Sequence, residues 1–192
     1  MCLSLNVPAG HWTVRDGVLE NDGMGDHLWG RLEFTNFVLR LQWRLPDPPK
    51  WEEFPVITLA GLDAINESGK PVTKRVLDAG DSGVFVRGSL KAQANIFCYP
   101  IGSGESWDYR TDPKMTPEQR RAVTPKRQAD RPVGDWNSME VRMHENRMTV
   151  ILNGDEVISS AELPGVPARG PIVLQHESGH VQFRHLFISE VP

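Results

Sequence analysis

The sequence predicts an all-β protein, an antiparallel two-sheet jelly-roll sandwich, and three observations carry that expectation. The 192 residues include 17 glycines and 15 prolines, which leaves little room for long helices. Apolar and polar residues alternate at period two in one segment after another. Strands and helices do not alternate in the way that builds parallel sheets. A chain of this length supports one domain with a real core, and residues 1–192 are expected to form it.

The clearest strand is 36–44, where Phe37, Leu39, Leu41 and Trp43 point one way and Val38, Arg40, Gln42 and Arg44 the other. Residues 83–87 and 92–99 read as two more strands. In this reading Phe85 and Arg87 share one face, while Gln93, Asn95, Phe97 and Tyr99 share another. Residues 138–144 alternate again, Glu145-Asn146 turns the chain, and 147–152 returns. Asn153-Gly154 then suits a type I′ turn into a strand at 156–158. The last pair is 171–176 and 181–188. A four-residue loop over Glu177–His180 sets Leu174 opposite Phe183 in the core and Gln175 opposite Gln182 outside, with Arg184 beside them.

One short helix is expected, inside a Pro- and charge-rich excursion over 100–133. Thr116 is placed to cap it, Pro117 suits its first position and Gln119 completes a capping box. An excursion of this length commonly forms a functional rim or lid. Trp107 and Tyr109 within it are placed either to close over a ligand or to pin the loop to the sandwich.

Composition narrows the function classes. A net charge of −4 weighs against nucleic acid. No stretch reaches the roughly 18 apolar residues of a membrane span, and the first residues lack the basic and apolar regions of an export signal. Cys98 reads as a small buried hydrophobe rather than a disulfide partner of Cys2.

His176-Glu-Ser-Gly-His180 matches H-E-x-x-H, the zinc protease motif. That chemistry needs the motif on a helix, and Ser178-Gly179 between two strand patterns makes it a loop, so a protease is disfavoured. A loop-borne divalent metal on His176 and His180 stays open beside a plain polar turn. The polar strand faces suit a sugar, whose hydroxyls want bidentate partners and whose ring wants a flat apolar surface. An ordinary solvated face fits the same pattern. No closely spaced pair of acids on one strand marks a glycosidase, and Asp81 reads as a turn residue.

Several segments together resemble a known family. Trp12–Leu19, Phe37–Arg44, Ser82–Arg87, Gly134–Asn137, Leu152–Gly154, Gly170–His176 and Val181–Arg184 are similar in order and spacing to the bacterial 3-keto-disaccharide hydrolase family, across nearly the whole chain. The resemblance implies a concanavalin A-like jelly roll and a hydrolase acting on 3-keto-glycosides, in a periplasmic or secreted setting. That chemistry would require a separate sugar oxidoreductase upstream. The family often carries Glu and Asp where Gln93 and Asn95 stand here, which weighs against carboxylate catalysis from that strand. On this reading His176 is the expected base, with Glu177 or His180 next, and Arg87 or Arg184 holds the enolate oxygen. Gln93, Asn95, Tyr99, Trp107 and Gln175 line the sugar pocket. The alternative is a carbohydrate-binding module on the same fold, with no tuned base; a purely structural domain is the third reading.

Overall fold

The structure is a computed structural model that describes residues 1–7 and 10–192. Among these, thirteen strands and two short helices follow one another. A seven-stranded antiparallel sheet runs β1 (Trp12–Arg15), β2 (Val18–Asn21), β13 (Val181–Glu190), β4 (Phe37–Arg44), β9 (Asn137–His144), β10 (Arg147–Leu152) and β11 (Asp155–Glu162). A four-stranded sheet runs β3 (Leu28–Phe34), β12 (Gly170–Ser178), β7 (Asp81–Phe85) and β8 (Gln93–Ile96). A separate hairpin pairs β5 (Lys50–Pro55) with β6 (Thr73–Asp78). This is the expected jelly-roll sandwich. Among the described residues, no helix is long and apolar enough to cross a membrane.

Alternation builds the core as expected. Phe37, Leu39, Leu41 and Trp43 of β4 are buried against Ile172 and Leu174 of β12 and Val84 and Ala94 of β7 and β8, in one apolar cluster. The β9–β10–β11 meander follows the turn chemistry. Glu145 and Asn153 take positive φ values of 52° and 53°, and Gly154 takes 94°, the left-handed pair of a type I′ turn.

Two expectations are corrected, one of connectivity and one of helix number. β12 and β13 do not form a hairpin: β12 pairs with β3 and β7 in the small sheet, whereas β13 pairs with β2 and β4 in the large one. Leu174 and Phe183 both reach the core, but from opposite layers. The tight turn at Gly179 (φ 70°) is a crossover between sheets. It works because Gly179 and Gly80 pass backbone to backbone: a Cβ on Gly80 would stand 2.3 Å from the Ser178 carbonyl oxygen, and one on Gly179 would stand 2.6 Å from that of Ala79. The excursion also holds two helices rather than one. α2 (Pro117–Ala122) has the expected capping box on Thr116 and Gln119. α1 (Trp107–Arg110) is a single turn with no side-chain cap, so it left no sequence signal.

Candidate functional site

The outer face of the small sheet carries the site, and its register explains its layout. Val173 lies opposite Phe85 and Phe85 opposite Gln93, forming one row across the strands. Gln175, Gly83 and Asn95 form the next row. At the end of the sheet the ladder jumps from His176↔Ser82 to Ser178↔Asp81, so Glu177 sits in a bulge beside Asp81. Together with Phe97, Tyr99, Trp107 and Asp108, these rows enclose a cleft of about 310 Å³.

A chain of carboxamides links the first row to the second. Gln93 Nε2 donates to both Asn95 Oδ1 and Gln175 Oε1 at 2.9 Å, and Gln175 Nε2 donates to Glu177 Oε2 at 3.2 Å. All three amides are buried. They meet over Gly83, where a Cβ would stand 2.8 Å from Gln175 Oε1 and 2.9 Å from Gln93 Nε2. Ser82 Oγ donates to the Gln175 carbonyl at 2.7 Å and Ser106 Oγ to the Gln93 carbonyl at 2.5 Å, fastening the strands from beneath. Such satisfied buried networks fix side-chain positions.

The end row is acidic. Burial, reinforced by the charges of Glu177, Asp78 and Glu105, pushes the Asp81 carboxyl up to about 8. Its Oδ1 is buried without a partner. Glu177 is exposed on the same wall. Behind β8, Glu105 is fully buried and accepts from Arg110 Nε at 2.6 Å. An aromatic stack closes the acidic end: Phe97 and Tyr99 stack at 4.4 Å between centroids, and Phe54 of the β5–β6 hairpin stacks on Tyr99 at 4.1 Å.

Of the residues singled out in the sequence, the cleft brings together Gln93, Asn95, Tyr99, Trp107, Gln175 and Glu177. Trp107 stands exposed at the cleft, while Tyr109 is buried and its hydroxyl donates to the Pro164 carbonyl at 3.0 Å, pinning the excursion. Arg87, Arg184, His176 and His180 lie elsewhere. β7 ends at Phe85, and Arg87 takes φ 53° in the following turn, so its side chain leaves the face. Arg87 is buried, donating to the Thr35 carbonyl at 2.7 Å and the Pro167 carbonyl at 3.1 Å. Arg184 belongs to the large sheet, where it donates to Gln42 Oε1 at 2.7 Å and lies over Trp136. His176 follows the parity of Ile172 and Leu174 rather than that of Gln175, and its Nε2 is buried without a partner. His180 Nδ1 lies 3.0 Å from Asp47 Oδ1. Among the described residues, no group of three or more His, Cys, Asp or Glu side chains gathers in a metal-holding arrangement.

Sequence reasoning missed Asp81 and Asp108. The signal for Asp81 was cross-strand: an acid opening the strand that pairs with β12 stands beside the acid that follows Gln175.

The architecture is one shared by glycosyl-hydrolase-like and carbohydrate-binding proteins. One candidate glycosyl hydrolase from Parabacteroides distasonis is 18% identical, with a TM-score of 0.60 over 95% of this chain and 75% of that one. A second from the same organism is 20% identical, with a TM-score of 0.58 over 98% and 94% of the two chains. The carbohydrate-binding module CBM66 from Bacillus subtilis is 11% identical, with a TM-score of 0.60 over 98% and 97%. These likenesses establish the fold. No curated protein matches the sequence significantly. The family is given by a sequence model matching residues 5–189: the chain belongs to the 3-keto-alpha-glucoside-1,2-lyase-like domain family.

Proposed function

We propose that this protein cleaves glycosides already oxidised at C3 of the sugar, by elimination at the cleft, with Glu177 as base and Asp81 as acid. The observation that carries the reading is the pairing of these two carboxyls at one end of an amide-lined cleft, one of them holding its proton up to about pH 8. The family match supports the substrate chemistry.

A C3 ketone acidifies the C2 hydrogen and places the C1 leaving group β to the carbonyl. Glu177 removes H2, and the C–H electron pair becomes the enolate. The enolate then collapses to a C1=C2 double bond as the C1–O bond breaks. Asp81 gives its proton to the departing oxygen. The two carboxyls have now exchanged protonation states. Asp81, as base, takes a proton from water as its oxygen adds at C1, and Glu177 returns a proton to C2. The site is thereby reset, and the net reaction is hydrolysis. The carboxamides of Gln93 and Asn95 and the hydroxyl of Tyr99 are the cleft groups suited to hold the sugar oxygens. An upstream sugar oxidoreductase must supply the ketone.

The test is release of a chromogenic aglycone from a 3-keto-glucoside and from its unoxidised parent. The reading expects release from the keto form alone, lowered about 10²-fold or more in Asp81→Asn. Saturable binding of the keto-sugar without release would instead identify a carbohydrate-binding module, the role that CBM66 has on this fold.

A further inference from the structure

A second and larger cavity, of about 510 Å³, abuts the cleft. Phe97 and Tyr99 line both spaces, so the aromatic stack is the partition between them. The second cavity lies among the ends of β4 and β9, strand β6 of the separate hairpin, and the segments 97–100 and 128–135. Its walls include Trp43, Leu45, Val76, Leu77 and Val133. Cys98 adds to them, its thiol pushed up to about 12 by burial and therefore a neutral apolar surface at ordinary pH. Charge is confined to Asp130 and to exposed rim residues such as Lys74 and Arg131.

The rows of the cleft give the substrate a direction. Ser82 pairs with Ile96, which sets Asp81 on the side of the sheet nearest Phe97 and Tyr99. The acid that protonates the departing oxygen therefore stands at the end of the cleft facing the second cavity. The amide row, with its capacity for hydroxyls, lies on the other side of that acid. A group leaving from C1 projects past Tyr99 toward this space, where the Asn137 carboxamide is already engaged by Arg131, Asn153 and Asp135 and that of Gln128 is exposed at the rim.

We propose that the second cavity is the leaving-group pocket, and that the preferred substrates are 3-keto-glycosides of apolar, ring-bearing aglycones rather than disaccharides. This rests on the cleft being the site of cleavage. Tyr99 is the specificity-determining residue at the junction, offering one ring edge to the sugar and the other to the aglycone. The cavity has room for a fused two-ring group, and each added apolar carbon buried there favours binding.

The experiment compares 2-naphthyl, phenyl and glucosyl 3-keto-glucosides on the intact protein, naphthol and phenol being leaving groups of similar acidity. We expect kcat/KM for the naphthyl substrate to exceed that for the phenyl one by about tenfold or more. Leu77→Glu should narrow that ratio to below about threefold by placing a charge in the cavity wall. In parallel, 2-naphthol should bind the unmodified protein, glucose should not displace it, and Leu77→Glu should weaken it. Turnover of all three substrates with no naphthyl preference overturns the pocket and leaves the cleavage reading standing. Naphthol binding that Leu77→Glu weakens, with no turnover of any keto-glycoside, overturns the cleavage reading and leaves an apolar binding site.

Discussion

Glu177 stands in a bulge of β12 directly beside Asp81 of β7, at the point where the ladder skips from His176↔Ser82 to Ser178↔Asp81. The bulge follows from the crossover of Gly80 and Gly179, whose backbones pass too closely to allow a regular ladder. Two acids distant in the chain thus share one wall of the cleft, and each is the other's electrostatic neighbour.

With Asp81 as the proposed acid, its raised carboxyl would set the pH profile. It must hold a proton to act as acid, so kcat/KM should fall about tenfold per pH unit above about pH 8. A rate still rising through pH 9 would remove Asp81 from that role.

Stability shifts with the same group, and the sign is fixed by linkage. Asp81 binds its proton more tightly folded than unfolded, so stability is full below its ordinary value of 3.8 and declines as pH rises to about 8. Asp81→Asn should therefore raise Tm at pH 8 by about 3 °C or more, with little gain at pH 4. Thermal melts at the two pH values check both the size and the order.

Gly83 supports the carboxamide chain by having no side chain. Gly83→Ala would place a Cβ within 3 Å of both Gln93 and Gln175, and these amides must move apart. We expect KM for the keto-sugar to rise about tenfold or more in a folded protein, read from kinetics beside a circular dichroism melt.

Arg87 holds two loops rather than substrate. Arg87→Met would leave the Thr35 and Pro167 carbonyls without their donor. Each costs about 1–3 kcal/mol if dry, so Tm should fall by about 4 °C or more. A loss of kcat at unchanged Tm would return Arg87 to the chemistry.

Much of this molecule is legible in its sequence because local rules act locally. The alternation in Phe37–Trp43, the Asn153-Gly154 turn and the Thr116 cap each specify their element from a few neighbouring residues. The amide face was legible for the same reason, since Gln93, Asn95 and Gln175 follow the parity of their strands. What was not legible depends on which strand meets which. A tight turn through Gly179 reads equally as a hairpin or as a crossover, and only pairing with β7 or with β13 decides. Arg87 kept strand parity on paper, but its left-handed backbone removed it from the face. Asp81 looked like a turn residue because its neighbour in function lies on another strand. The β5–β6 hairpin shows no clear alternation, since it stands off the sandwich and buries little of either face.

On the proposed mechanism the glycosidic bond breaks by loss of the C2 hydrogen between Glu177 and Asp81. The most direct measurement is single-turnover aglycone release from a 3-keto-glucoside carrying deuterium at C2, against the protium form. Slower release from the deuterated substrate is expected, together with a large loss of rate in Asp81→Asn. Equal rates for the two isotopologues, with the C2 label fully retained in the sugar product, would contradict it.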